Sequence, residues 1–137
     1  MMDLEAEKSS FDLPTVTRLQ ALKTGALIAA SVEMGAILGH VPPEGRVHIT
    51  VYAESVGLMF QIVDDIMDVE GDEKAAGKAL RKDADAGKAT FVSLMGLERA
   101  KQQGEMLVEQ SVSHLAGYGH EADLLRCIAR YVLERDR

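Results

Sequence analysis

The sequence predicts an all-α protein, and three observations carry that reading. Apolar residues recur at helical spacing through most of the chain, and no alternating strand pattern with hairpin chemistry is found. Glycine and proline clusters divide it into long segments, each able to hold several helical turns. In the run Gln61-Ile62-Val63-Asp64-Asp65-Ile66-Met67-Asp68 the polar side chains fall only at i, i+3, i+4 and i+7, which is one face of a helix. With 137 residues, 47% of them hydrophobic, the chain suffices for one compact domain with its own core.

Four main helices are expected. The first runs from about Pro14 to Leu38, with Asp12 as its cap and Pro14 in the first turn, where a missing N–H costs little. Gly39, Pro42 and Pro43 end it. The second covers about Glu44 to Val69. Residues 70 to 87 hold Gly71, Gly77 and Gly87 among charged side chains, the composition of a mobile connection. Helicity resumes near Ala89 and continues to about Leu115, with Leu94, Leu97, Met106, Leu107 and Val112 as its core side, until Gly117-Tyr118-Gly119 breaks the chain. The last helix, about Glu121 to Glu134, is expected to bury Leu124, Leu125, Ile128, Ala129 and Val132.

Charge and cysteine content narrow the function classes. A net charge of −7 without a broad basic patch disfavours nucleic acid as a partner. Cys127 is the only cysteine, so no disulfide forms within the chain and nothing argues for an oxidising compartment. The acidic start, Met1 to Glu7, lacks the basic and apolar regions of a signal peptide. The longest oily stretch, Gly25 to Leu38, is broken by Glu33 and is too short to span a bilayer. A cytoplasmic protein without a membrane span is expected.

The acidic run inverts ordinary amphipathicity. Leu58, Met59, Phe60, Ile62, Val63, Ile66, Met67 and Val69 surround Gln61, Asp64, Asp65 and Asp68, so a narrow acidic stripe lies on an otherwise apolar rod. Such a stripe is expected to line an internal cleft. Carboxylates one turn apart repel and resist ionisation, so a cation is expected between them. Aspartates that share oxygen ligands with a phosphate suit Mg²⁺, which is commonly held by one or two carboxylates plus substrate phosphates.

Other metals fit less well. An EF-hand starting at Asp68 would place Glu73 at the turn glycine and Ala79 at the bidentate glutamate. The four histidines, His40, His48, His114 and His120, form no i, i+4 pair for zinc. Positive groups follow the stripe: Lys74, Lys78, Arg81, Lys82 and Lys88 fall in or just beyond the glycine-bearing connection, and Gly77-Lys78 and Gly87-Lys88 let backbone approach an anion. A basic loop there is suited to closing over a polyphosphate. Between Leu19 and Leu38 the only charged side chains are Lys23 and Glu33, so Lys23 either snorkels outward or enters a polar cavity with Thr24 and Gln20.

Phe60 to Asp68 resembles the second aspartate-rich motif, FQxxDDxxD, of the trans-isoprenyl diphosphate synthases, the farnesyl and geranylgeranyl diphosphate synthases. Lys23-Thr24-Gly25 resembles the KT(G/A) motif of that family, and Gly71-Asp72, Gly77-Lys78, Asp83 and Gly87-Lys88-Ala89-Thr90 resemble its GD…GK…D…GK(S/A)T segment. The resemblance implies the isoprenoid synthase fold, with long helices around a central cavity. It also implies Mg²⁺-assisted ionisation of an allylic diphosphate, attack on the cation by isopentenyl diphosphate, and loss of a proton. Carried over residue by residue, Asp64 and Asp68 serve Mg²⁺, and Asp65 supports the site through water or basic partners. Lys23 and Lys78 bind the departing diphosphate, Thr24 and Gln61 lie near the reacting carbons, and Lys88 and Asp83 belong to the closing loop.

The chain also departs from the family pattern. The first aspartate-rich motif, the arginine pair after it and the basic residues that hold isopentenyl diphosphate are absent from the 137 residues. Met1 to Leu4 resembles the stretch just after the family's GGQ. Phe91-Val92 stands where a Tyr-Pro pair is common. Residues 1–137 are therefore expected to be the C-terminal portion of a single polyprenyl synthase domain, incomplete and inactive alone. It would need the N-terminal half, would form a homodimer in the complete enzyme, and would expose an apolar face to its missing neighbours. Two other readings stand beside this one. A class I terpene cyclase is disfavoured because such enzymes usually carry an Asn/Ser/Glu-type second metal motif. A non-catalytic helical subunit that binds a partner synthase gains from the missing motif and loses from the retained Lys23, Asp64, Lys78 and Lys88.

Overall fold

Asp12 starts the first helix, α1 (Leu13–Gln20), by accepting a 3.0 Å hydrogen bond from the Thr15 N–H, with Pro14 in the first turn. The computed structural model describes residues 12–76 and 89–135, apart from the side chains of Gln20, Lys23 and residues 72–76. The single helix expected from Pro14 to Leu38 is interrupted, because Ala21–Gly25 forms a π turn before α2 (Ala26–Leu38) begins. His40 adopts φ +56 just after α2, and Pro43 opens the next helix.

That helix, α3 (Pro43–Ala76), has 34 residues and is about 51 Å long at 1.5 Å per residue. It continues past the end expected at Val69, so residues 70–76, read from composition as a mobile connection, are helical. Glu70 is tied to Lys101 of the neighbouring helix at 2.8 Å, which holds the extra turns down.

The helix expected from Ala89 to Leu115 is two. Gly96 adopts φ +86, a conformation that L side chains rarely take, and separates α4 (Phe91–Met95) from α5 (Leu97–His114). The break resets the helical phase. Phe91 is buried, whereas Leu94 and Met106, expected in the core, are 40% and 60% exposed. The buried side of α5 runs through Ala100, Gly104, Leu107 and Ser111.

A 3₁₀ turn (His120–Ala122) leads into α6 (Asp123–Glu134). Arg126 closes the preceding turn by donating to the carbonyls of Leu115, Tyr118 and Gly119. Ala129 and Val132 of α6 are buried as expected, but Leu124 is 72% and Ile128 39% exposed. The inward face of α6 is set by what α3 and α5 offer it, and a strongly apolar sequence leaves some large side chains outside.

α3 is the axis of the molecule. It packs against α2, α4, α5 and α6, and its Tyr52, Ala53, Val56, Met59, Ile62, Val63 and Ile66 are all buried. The Tyr52 hydroxyl donates to Leu125 O at 2.7 Å and the Tyr118 hydroxyl donates to Gly45 O at 2.9 Å, pinning both ends of the 115–125 region to α3. Among the described residues nothing covers one face of α2: Leu27, Met34, Ile37 and Leu38 are 71%, 58%, 52% and 79% exposed at i, i+7, i+10 and i+11. Among the described residues no helix is long and apolar enough to cross a membrane.

Candidate functional site

The inverted amphipathicity read from the sequence is present in α3. Met59, Ile62, Val63 and Ile66 are buried, Gln61 is buried among them, Asp64 and Asp65 are half-buried, and Asp68 is exposed. The acidic stripe therefore emerges from the core toward the C-terminal end of α3. α3 runs two further turns beyond Asp68, so the helix macrodipole, felt only in the last turn, is not what opposes these charges; their mutual repulsion and partial burial are, and each carboxylate needs a counterpart.

Asp64 has found a cation. Arg135, just past α6, donates Nη2 to Asp64 Oδ1 and, at 3.2 Å, to Phe60 O. Its guanidinium carbon also lies 3.8 Å from the centroid of the Phe60 ring. Burial raises the Asp64 carboxyl above the usual carboxylate range; Arg135 opposes that shift and the Asp68 charge adds to it. The Arg135 Nε is buried without a hydrogen-bond partner, so the guanidinium is held mainly by one edge.

Asp65 faces a different group. Its Oδ2 accepts a 2.7 Å hydrogen bond from Phe91 N–H, the first amide of α4. Thr90 and Ser93 form a capping box that aims this amide: Thr90 Oγ1 accepts from Ser93 N–H and Ser93 Oγ accepts from Thr90 N–H. Burial nevertheless pushes the Asp65 carboxyl up to about 6; the Phe91 amide works against it, and Asp68 and Asp64 push it further.

A folded-state value above the unfolded one means that the native state binds more protons between about pH 4 and pH 6. This contribution to stability is present below the unfolded value and is lost as pH rises through about 6. Metal-free protein is therefore expected to lose stability over that interval, by about 1–2 kcal/mol once solvent screening is allowed for. Asp65→Asn should remove most of that loss while keeping an acceptor for Phe91 N–H. Chemical denaturation at pH 4 and pH 7 in the presence of a chelator measures it, and identical pH slopes in both proteins would refute it.

The structure thus divides the three aspartates. Asp65 is committed to the α4 N-terminus, and Asp64 and Asp68 lie one turn apart on the stripe. No group of three His, Cys, Asp or Glu side chains among the described residues forms a metal cage. Mg²⁺ does not need one, because it is commonly completed by phosphate oxygens and water. A pair of aspartates beside a phosphate suits that ion.

The π turn carrying Lys23 and Thr24 packs on α3. Thr24 is half-buried there, and the Lys23 side chain lies outside the described set. Lys78, Asp83 and Lys88 also lie outside the described residues. Sequence reasoning expected a cation beside the stripe but missed Arg135, Phe60 as the ring beneath it, and the Phe91 amide. Arg135 is 71 positions from Asp64, so no local pattern could have paired them.

Known proteins resemble the chain along nearly its whole length. A family model described as polyprenyl synthetase matches residues 1–128. A farnesyl diphosphate synthase of Escherichia coli (strain K12) is 38% identical over 142 aligned positions, covering 99% of this chain and 47% of that protein. The apo crystal structure of an FPP/GFPP synthase from Zymomonas mobilis superposes with a TM-score of 0.82 at 50% identity, over 96% of this chain and 42% of the other. A geranyltransferase from Helicobacter pylori, complexed with magnesium and isoprenyl diphosphate, superposes with a TM-score of 0.70 at 31% identity, over 96% and 43%. The chain spans about half the length of the curated relatives it matches.

Proposed function

The chain belongs to the polyprenyl synthetase family, and on that premise we propose that its acidic stripe is one wall of a Mg²⁺–diphosphate site for trans-prenyl transfer. The reaction is condensation of an allylic diphosphate with isopentenyl diphosphate to give farnesyl or geranylgeranyl diphosphate. The observation that carries this reading is a stripe of carboxylates, Asp64 and Asp65 half-buried and Asp68 exposed, on an otherwise apolar α3 against which the π turn bearing a lysine and a threonine also packs.

Asp64 and Asp68 hold the metal ion, and the bound ion supplies positive charge to a diphosphate leaving group. Lys23 and Lys78 bind the same diphosphate, and Lys88 and Asp83 close over it. Thr24 and Gln61 line the reacting carbons. Asp65 fixes the start of α4 against the stripe. Arg135 neutralises Asp64 through one of its two carboxylate oxygens. The opposite wall, with the first aspartate-rich motif, comes from outside these 137 residues, and the uncovered face of α2 is where further helices of the domain pack. The complete enzyme is a cytoplasmic homodimer.

Calorimetry on the full chain tests the site directly. Inorganic diphosphate is expected to bind in the presence of Mg²⁺ and not after chelation, and Lys23→Ala should weaken it about tenfold or more. Equal binding with and without Mg²⁺, or none at all, would overturn the assignment.

A further inference from the structure

Gly57 lies one turn before Gln61 on the same face of α3 as Asp64, Asp65 and Asp68. It is buried, and the chain that covers it is the π turn itself. A Cβ added at Gly57 would stand 2.9 Å from Gly25 Cα and 3.8 Å from Gly25 C and O. The two backbones touch through hydrogen atoms alone. No side chain there could rotate aside, because the obstacle is backbone.

This contact sits where spacing matters. Gly25 immediately follows Lys23 and Thr24, and Gly57 precedes Asp64 by about 10.5 Å of helix rise. A glycine in a helix interior costs about 0.5–1 kcal/mol relative to alanine, so helix formation alone gives no reason for glycine here. The π turn gives one: its chain packs against α3 at Gly57, at a separation that leaves no room for a Cβ there.

We propose that Gly57, through its contact with Gly25, is the positioning residue of the diphosphate site. It sets the gap between the turn bearing Lys23 and Thr24 and the stripe bearing Asp64 and Asp68. Both walls reach one diphosphate only when that gap is closed. The inference rests on the proposed Mg²⁺–diphosphate site and deepens it. Gly57 touches no substrate; it acts through the residues that do.

Gly57→Ala adds a single methyl group that must part the two backbones, while raising the helix propensity of α3. The full chain carrying it is expected to keep its melting temperature within a few degrees and to lose at least tenfold in Mg²⁺-dependent affinity for inorganic diphosphate. Gly35→Ala is the control: it makes the same helical exchange where the new Cβ meets nothing within 4 Å, and it should leave that affinity unchanged. Unaltered diphosphate affinity in Gly57→Ala would overturn the proposal. A lowered melting temperature with normal affinity in the folded fraction would do so too, since the contact would then be structural only. If the unsubstituted chain binds no diphosphate with Mg²⁺, the proposed function itself has failed, and that result is distinguishable because it needs no variant.

Discussion

Asp64→Asn is expected to lower prenyl-transfer turnover by roughly 10²–10³-fold, the range for losing one preorganised group that stabilises developing charge. The setting is a hybrid synthase in which the part of the Escherichia coli farnesyl diphosphate synthase outside the matched region is joined to these residues. Asparagine keeps the shape and leaves an oxygen for Arg135, which already donates to Phe60 O and rests over the Phe60 ring. Part of the support of the guanidinium is therefore kept, and the loss of stability should be smaller than on removal of the whole side chain. Full removal of the side chain is a poorer test, because Asp64→Ala strands a mostly buried guanidinium. Loss of turnover with an unchanged melting temperature separates metal binding from folding; wild-type turnover in Asp64→Asn would contradict the role given to it.

The second large effect concerns α2. Leu27→Glu with Met34→Glu should act with opposite signs in two settings. In the chain alone both side chains face solvent, 71% and 58% exposed, so the double variant should self-associate less and keep its stability. In the hybrid the same face is expected to be covered, and losing two buried apolar side chains should then remove about 3–6 kcal/mol before the cost of burying charge is added. Sedimentation of the single chain and thermal melting of the hybrid read the two outcomes. An undiminished melting temperature in the hybrid would show that the stripe is not where further helices pack.

Much of this architecture was legible in the residues, and the exceptions share a cause. The Asp12 cap, the Pro14 position, the boundary at Pro42 and Pro43 and the acidic stripe are local patterns, set within one or two helical turns, and all appear in the structure. The π turn does not announce itself in Ala21–Gly25, because its geometry answers to α3 across the interface. The helix expected from Ala89 to Leu115 is broken by Gly96, whose φ of +86 depends on tertiary context. Leu94, Met106, Leu124 and Ile128, expected in the core from their helical spacing, are exposed, because which face of a helix turns inward depends on its neighbours.

The site divides in the same way. Spacing is enough to put Gln61, Asp64, Asp65 and Asp68 on one face, since one helix carries them. It is not enough to show that Asp65 takes the Phe91 amide, which approaches from 26 positions away. The expected cation lies between the carboxylates, whereas the cation present among the described residues pairs with Asp64. Its identity as Arg135 depended on α6 returning to α3 at that point.

Prenyl transfer itself gives the most direct test of the claim that this chain is one wall of the diphosphate site. Labelled isopentenyl diphosphate, an allylic diphosphate and Mg²⁺ are supplied to the 137-residue chain alone and to the hybrid synthase, and the elongated product is extracted and counted. Product from the hybrid, abolished by chelation, with none from the chain alone, is the expected result. Product from the chain alone, or none from a folded hybrid, would contradict the claim.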